Sequence, residues 1–92
     1  MVVSVFAILD IKSAAYGVPF FSVTRGSAIR ALMHQLSQDA QNMMALYPHD
    51  FVLYDLGTYD DVTGQIAPLT VPVMIISIGD MLISAKGDLN EQ

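Results

Sequence analysis

The segment 2–9, VVSVFAIL, restricts the fold more than any other part of the chain, because it is apolar on both of its alternating sides. One side carries Val3, Val5, Ala7 and Leu9, and the other carries Val2, Ser4, Phe6 and Ile8. Its β-branched residues favour a strand, and a strand that is apolar on both sides is buried on both faces of its sheet. The segment therefore predicts a central strand with neighbours on either side.

The length of the chain limits it to one domain. Two cores in 92 residues would leave each part below about 50 residues, close to the lower limit for independent folding. The stretch Lys86 to Gln92 is polar, which is typical of a frayed terminus. We therefore predict a single α+β domain over residues 1–86 and a frayed tail over residues 87–92.

The composition predicts a protein partner. Hydrophobic residues make up 53% of the chain and charged residues only 14%, against about 25% charged in ordinary soluble domains. So few polar residues leave apolar area on the surface of a small monomer, and such area usually marks an interface. Because closed two-fold dimers are the commonest soluble oligomers, the expected partner is a second copy of the chain.

The charge balance and the lack of cysteine exclude several classes of protein. Nine Asp and Glu residues against four Lys and Arg give a net charge of −5, whereas indiscriminate phosphate binding requires dense positive charge. With no cysteine, disulfides, thiol catalysis and cysteine-based zinc sites are excluded. The apolar segment 1–9 has no basic leader and is followed by Asp10, which predicts neither a signal peptide nor a membrane span. A soluble cytosolic protein without a membrane partner is expected.

The middle of the sequence predicts one long helix over about residues 25–45. Thr24 is placed to cap it, because its hydroxyl can accept a hydrogen bond from the amide of Gly26 or Ser27, and Pro48 marks the far end. The packing face recurs at three- and four-residue steps. Its members are Ala28, Ile29, Leu32, Leu36, Ala40, Met43 and Met44, while Arg30, His34, Gln38 and Gln41 lie on another side.

The remaining segments are typical of strands and turns. Prolines and glycines keep the run Val18 to Val23 at a sheet edge. The other predicted strands are Asp50 to Gly57, a return from Gln65 and the run Thr70 to Ile78, with a hairpin turn at Thr58 to Gly64 and a turn at Gly79-Asp80 before Met81 to Ser84. The expected fold class is α+β, a mainly antiparallel sheet of four to five short strands with one long α-helix packed on one face. The uncovered sheet face or an edge strand would then form the dimer interface.

A candidate nucleic-acid site lies around the start of the predicted helix. Tyr16, Phe20 and Phe21 can stack on bases, at about 1 to 3 kcal/mol per base. Arg25 and Arg30 are two of the four Lys and Arg residues, and they can hold a phosphate beside the free amides of a helix N-terminus. The pattern is that of a small single-stranded nucleic-acid site.

Packing offers an alternative for these residues. Adjacent side chains of a strand point to opposite faces, so at most one of Phe20 and Phe21 lies on a given surface and the other belongs to the core. The two arginines can instead be solvated, or can pair with Asp55 or Asp60. Both interpretations remain open at the level of the sequence.

Three carboxylates, Asp55, Asp60 and Asp61, raise the question of a hard-cation site. Val62 follows them where a metal loop would supply another oxygen ligand, and Asp-rich turns accept hydrogen bonds from their own amides. A structural turn is therefore the favoured interpretation. The two histidines adjoin no metal-ligand motif, and the sequence has no nucleophile or cofactor-binding motif, so we expect no metal, no cofactor and no enzyme.

Two motifs resemble a known family. The first is the run from Pro19 to Arg30, Pro-Phe-Phe-x-x-x-Arg-Gly-x-Ala-Ile-Arg, and the second is Pro48-His49-Asp50 with Tyr-Asp-Leu-Gly-x-Tyr-Asp-Asp-x-Thr-Gly over 54–64. Over about residues 15–66 they resemble the small non-structural protein of gokushovirus-type microviruses, bacteriophages with circular single-stranded DNA. In this chain Ser27 stands where the residue after Arg-Gly is usually acidic, and the histidine and proline order is reversed.

The resemblance implies a role in the host cytoplasm and outside the mature virion, as a DNA-binding or single-strand DNA synthesis accessory. One hypothesis is a dimeric phage protein that acts at the single-stranded DNA replication or packaging stage and contacts single-stranded DNA through the corner from Phe20 to Arg30. The other is a dimeric adaptor that binds a viral replication or assembly protein, or a host factor, without nucleic-acid contact. The net negative charge favours the adaptor, and the family resemblance favours the DNA-binding protein.

Overall fold

The computed structural model describes the backbone of residues 1–90 and the side chains of residues 1–85. The strands are β1, Val2–Asp10, β2, Ala15–Tyr16, β3, Phe20–Ser22, β4, Phe51–Asp60, and β5, Gln65–Ser77. The helices are α1, Arg25–Gln38, α2, Met43–Leu46, and α3, Ile78–Asn90, with a 3-10 turn at Pro48–Asp50. This element order confirms the predicted α+β class.

Strand β1 lies at the centre of one antiparallel sheet, as its two apolar sides predict. It pairs with β4 on one side and with both β2 and β3 on the other. Strand β5 pairs with β4 and forms the outer edge, so the order is β2-β1-β4-β5 with β3 beside β2 along β1. The predictions that β1 is central and that the β3 segment lies at an edge are both confirmed.

The main core lies on one side of this sheet. Its buried members are Phe6, Ala28, Leu32, Leu36, Leu53, Ile78 and Met81. They come from β1, β4, α1 and α3, and side chains of α2 pack against the same cluster. In the described part of the chain, the helices therefore share one face of the sheet and leave the opposite face without a helix.

The prediction of a single long helix is wrong. Helix α1 ends at Gln38, and α2 is a separate short helix. Two side chains divide them: Asp39 Oδ1 accepts a hydrogen bond from the Gln41 amide at 3.2 Å, and Asn42 Oδ1 accepts one from the Met44 amide at 2.9 Å. Asp and Asn side chains compete in this way with helical hydrogen bonding, which favours turns and new helix starts.

The break in the helix also changes its predicted packing face. Ala28, Leu32 and Leu36 are buried as predicted. Ala40 and Met43 lie beyond the break and are exposed, so their assignment to the packing face is wrong. The apolar residues keep their three- and four-residue spacing beyond Gln38, although α1 ends there.

The second half of the chain has fewer and longer strands than predicted. Strand β4 continues to Asp60, so the turn spans only residues 61–64, and β5 is one strand of 13 residues where two were expected. The segment 81–84 belongs to α3, and the predicted turn before it is the helix start. Ser77 Oγ accepts a hydrogen bond from the Asp80 amide at 3.0 Å, a helix-start signal that the β-branched run obscured.

Two further expectations concern the end of the chain and membranes. The frayed tail expected over residues 87–92 falls outside the described side chains, so the tail and the domain boundary stay predictions. None of the described helices combines the length and the hydropathy that crossing a membrane requires.

Candidate nucleic-acid interface

Four aromatic side chains occupy the sheet face that lacks a helix. They are Tyr16 on β2, Phe21 on β3, and Tyr54 and Tyr59 on β4. Their partners across β1 are Leu9, Val5, Ala7 and Val3, respectively. Directly paired residues share a face, and these four β1 residues alternate with the Phe6 side that faces the helices. We call the four aromatic residues the aromatic face.

The aromatic rings meet in two pairs above β1. The Tyr16 and Tyr54 ring centroids are 5.4 Å apart with nearly perpendicular planes, and those of Phe21 and Tyr59 are also 5.4 Å apart. Strands that flank a common neighbour are about 10 Å apart, so the side chains lean inward over β1 to reach each other. This explains how Val5 and Ala7 are buried outside the main core.

A bulge in β4 brings Tyr54 and Tyr59 to the same face. They are five residues apart, and regular alternation would place them on opposite faces. The pairing with β1 shifts by one at Leu56, which has no partner there, and one extra residue reverses the alternation beyond it. Neither tyrosine was predicted to be a site residue, because nothing in the sequence except the adjacent Gly57 indicates this bulge.

The outer ring of each pair keeps an accessible surface. Tyr16 is 45% exposed and Phe21 is 55% exposed, while Tyr54 and Tyr59 are half-buried. Flat aromatic rings on an open sheet face are the type of surface on which unpaired bases stack. Tyr and Phe are also enriched at protein interfaces, so the aromatic face suits either class of partner.

The structure separates the three aromatic residues that the sequence singled out. Tyr16 and Phe21 belong to the aromatic face. Phe20 points to the other side, where its ring centroid lies 5.8 Å from that of Phe6 and where it packs against the main core. The expectation that at most one of the adjacent phenylalanines reaches a given surface is confirmed.

Arg25 forms an ion pair. Its Nη2 lies 3.2 Å from Asp55 Oδ2, which is the alternative that the sequence left open. Asp55 pairs with Phe6 in the sheet, so this contact lies on the helix side. The guanidinium is half-exposed, and a pair of that kind contributes about 0–1 kcal/mol, so a phosphate group can compete for it.

Arg30 is exposed on helix α1, and the ion pairs found among the described side chains do not include it. Five residues of α-helix turn through about 140° beyond one full turn, so Arg25 and Arg30 point in different directions. The five predicted residues therefore do not form one cluster: two are on the aromatic face, Phe20 faces the core, and the arginines extend from the helix side.

The start of α1 is already capped. Thr24 Oγ1 accepts a hydrogen bond from the Ser27 amide at 3.0 Å, and Ser27 Oγ accepts one from the Thr24 amide at 3.0 Å. This reciprocal capping box confirms Thr24 as the N-cap. Ser22 Oγ also contacts Ser27 Oγ. The hydroxyl groups thus occupy the Thr24 and Ser27 amides, two of the helix-start amides that could otherwise bind a phosphate.

Two of the three carboxylates near the hairpin accept hydrogen bonds from backbone amides, and the third, Asp61, pairs with the N-terminal ammonium group of Met1 at 2.6 Å. Asp60 Oδ1 accepts a hydrogen bond from the Val62 amide at 2.9 Å, and Asp55 Oδ1 accepts one from the Gly57 amide at 3.0 Å. Among the described residues, no three His, Cys, Asp or Glu side chains lie together in a group that could hold a metal ion. These hydrogen bonds favour the structural interpretation of the carboxylates.

A cavity of about 510 Å³ opens on the helix side, near the β2 edge. Its apolar lining includes Ile8, Phe20, Leu32, Met43 and Met44. The cavity is open, and the polar side chains around it form no cluster with evident chemistry. It is therefore a weaker candidate than the aromatic face.

Comparison with known proteins identifies the family. A family model described as phage ORF5 protein matches residues 3–81, a range that includes the whole aromatic face. The chain belongs to the phage ORF5 protein family. A comparison with curated proteins finds no match, and a comparison with solved structures also finds none. For this ORF5 protein the two sequence motifs thus correctly indicated a bacteriophage protein.

Proposed function

We propose that this ORF5 protein is the non-structural protein of a gokushovirus-type microvirus and that it binds single-stranded DNA at the replication or packaging stage. It acts in the host cytoplasm, outside the mature virion, and is not an enzyme. The observation that carries the proposal is the aromatic face, with its two exposed rings, Tyr16 and Phe21, on an open antiparallel sheet.

Base stacking supplies most of the affinity in this proposal. Two accessible rings at about 1 to 3 kcal/mol per base give a contribution of about 2 to 6 kcal/mol. Every base has a flat face, so contact of this kind is tolerant of sequence. The rings can therefore hold any exposed single strand, and they offer little to a duplex whose bases are stacked and paired.

The charge distribution limits the electrostatic part of binding. With a net charge of −5, the protein can offer few phosphate contacts, and Arg25 must exchange its Asp55 partner for a phosphate to make one. Each contact on a single strand contributes a slope of about −0.7 in log affinity against log salt concentration. One or two contacts therefore predict a shallow slope, between about −0.7 and −1.4.

The test is a fluorescence-anisotropy titration of a labelled single-stranded oligothymidine at two salt concentrations. Tyr16→Ala and Phe21→Ala are each expected to weaken binding by about 5- to 150-fold. Tyr47→Ala is the matched control, because Tyr47 is an equally exposed tyrosine (54%) on the helix side. Arg25→Ala should flatten the salt slope by about 0.7. The absence of binding, or an equal loss in all three aromatic variants, would contradict the proposal.

A second candidate function is a protein adaptor that uses the same face. The observation in its favour is that the aromatic face is apolar and that Arg25, on the helix side, is already paired with Asp55. An adaptor for a viral replication or assembly protein, or for a host factor, would bind through packing and would tolerate salt. In the same titration it predicts no anisotropy change with the wild-type protein.

A further inference from the structure

The outer edge of the sheet carries an exposed apolar strip. Strand β5 is the last strand in the order, and its first ten residues are exposed. The large exposed side chains are Ile66, Leu69, Val71, Val73 and Met74, which we call the β5 strip. Single exposed apolar residues are ordinary, but a contiguous run along one edge is typical of an interface.

The β5 strip has none of the charges that protect edge strands in monomers. Lys and other charged residues usually mark such edges and prevent association. No charged residue occurs between Asp61 and Asp80, although the chain as a whole is acidic. Two copies of net charge −5 repel each other least where their surfaces are neutral, and the same neutrality gives a nucleic acid no cation to bind.

The prolines of β5 determine the kind of contact. Pro68 and Pro72 lack the N–H group that pairs neighbouring strands. Residues 69–72, which include Pro72, stand opposite the single residue Leu56 of β4, so this part of β5 departs from regular pairing. Contact through apolar side chains is therefore favoured over the addition of a further strand.

The accessible area of the chain is large for a compact monomer. Its surface is 6100 Å², whereas a compact monomer of 10.0 kDa exposes about 5200 Å². A standard interface buries roughly 800 Å² on each partner, and the exposed apolar side chains of the β5 strip supply surface for such an interface. We propose that two copies of this chain form a two-fold dimer through the β5 strip, with Val71 close to the symmetry axis.

This dimer goes beyond the proposed function and does not depend on it. It leaves Tyr16 and Phe21 free, because β2 and β3 lie at the edge of the sheet opposite β5, although Ile66 and Met74 of the strip pair with Tyr59 and Tyr54 and so share their face. A dimer would therefore carry two copies of the exposed rings. Failure of the dimer would leave the DNA-binding proposal intact, and the reverse also holds.

Two measurements on the full chain without DNA test the dimer. Sedimentation equilibrium of the wild type should give twice the chain mass of 10.0 kDa. Val71→Asp should weaken association by at least about 100-fold, because a two-fold interface contains each substitution twice. Val18→Asp is the matched control, since Val18 is 89% exposed but lies outside the strip, and it should leave the mass unchanged. Circular dichroism verifies that both variants are folded.

The lack of native cysteine permits a second test that does not disturb packing. Val71→Cys should form a disulfide-linked dimer on mild oxidation, and Val18→Cys should not. A wild type that stays monomeric across the concentration range would overturn the proposal. So would a dimer whose mass is unaffected by Val71→Asp and that Val71→Cys does not cross-link, since the association would then use another surface, such as the aromatic face, or another partner would cover the strip.

Discussion

Gly57 lies directly against the backbone of Ala67 on the neighbouring strand. A Cβ atom at position 57 would meet the Ala67 carbonyl oxygen and would come within 2.8 Å of the Pro68 Cα. Gly57 also has a φ of 144°, a conformation that is costly for any other residue. It follows Leu56, the extra residue of the β4 bulge, so the turn of the backbone that aligns Tyr54 and Tyr59 depends on a glycine.

Gly57→Ala should therefore be among the most destabilising single substitutions. Backbone strain of about 1 to 3 kcal/mol adds to the clash with β5, and we expect a loss of at least about 2 kcal/mol in the free energy of unfolding, measured by urea denaturation. Gly17→Ala is the control, since its Cβ would make only an ordinary contact of 3.7 Å with the Ile8 carbonyl oxygen. Equal stability of the two variants would contradict this account.

The two adjacent phenylalanines should differ in how much each contributes to the free energy of unfolding. Phe20→Ala removes a ring that packs against the core, and it should lower the free energy of unfolding by about 2 to 4 kcal/mol. Phe21→Ala removes a largely exposed ring and should cost less than about 1 kcal/mol. Thermal or urea unfolding measures both. A larger loss for Phe21 would mean that the aromatic face is mainly structural.

The capping box at the start of α1 gives a third prediction. Thr24→Ala removes the hydroxyl that accepts from the Ser27 amide, and it should cost about 1 kcal/mol of stability. Thr24→Ser keeps an acceptor and should stay within a few tenths of a kcal/mol of the wild type. In a double-mutant cycle, Thr24→Ala with Ser27→Ala should lose less than the sum of the single changes, because each residue caps the other.

Much of the fold could be predicted from local pattern. The two apolar sides of β1 identified the central strand, and Thr24 identified the start of α1, because alternation and capping are determined within a few residues. The end of α1 could not be predicted in the same way. The apolar periodicity continues past Asp39 and Asn42, and only their side-chain hydrogen bonds to the backbone show that the helix stops.

The candidate site was harder to predict from the sequence than the fold. Tyr16 and Phe21 were recognised because they precede a helix start, but their ring partners come from β4, about forty residues away. Which face Tyr59 occupies depends on the Leu56 bulge, and a shift of one residue exchanges the faces of a strand. Long-range pairing of this kind leaves no local signal, so the site could be assembled only from the register of the sheet.

The last prediction concerns the ion pair between Arg25 and Asp55. Asp55→Asn keeps an oxygen that can accept from the Gly57 amide but removes the charge that holds the guanidinium. If Arg25 contacts phosphate, this variant should bind the labelled oligothymidine several-fold more tightly than the wild type, while the number of phosphate contacts and so the salt slope stay the same. The reason is that Arg25 no longer has to exchange partners.

Asp80→Asn provides the matched control, because it makes the same change in net charge at an exposed position in the first turn of α3. A general effect of charge would strengthen binding equally in both variants, whereas release of Arg25 strengthens it only in Asp55→Asn. Adding Arg25→Ala to Asp55→Asn should then abolish the gain. If the gain persisted without the arginine, the guanidinium would have no part in DNA binding, and the aromatic face would bind single strands by stacking alone.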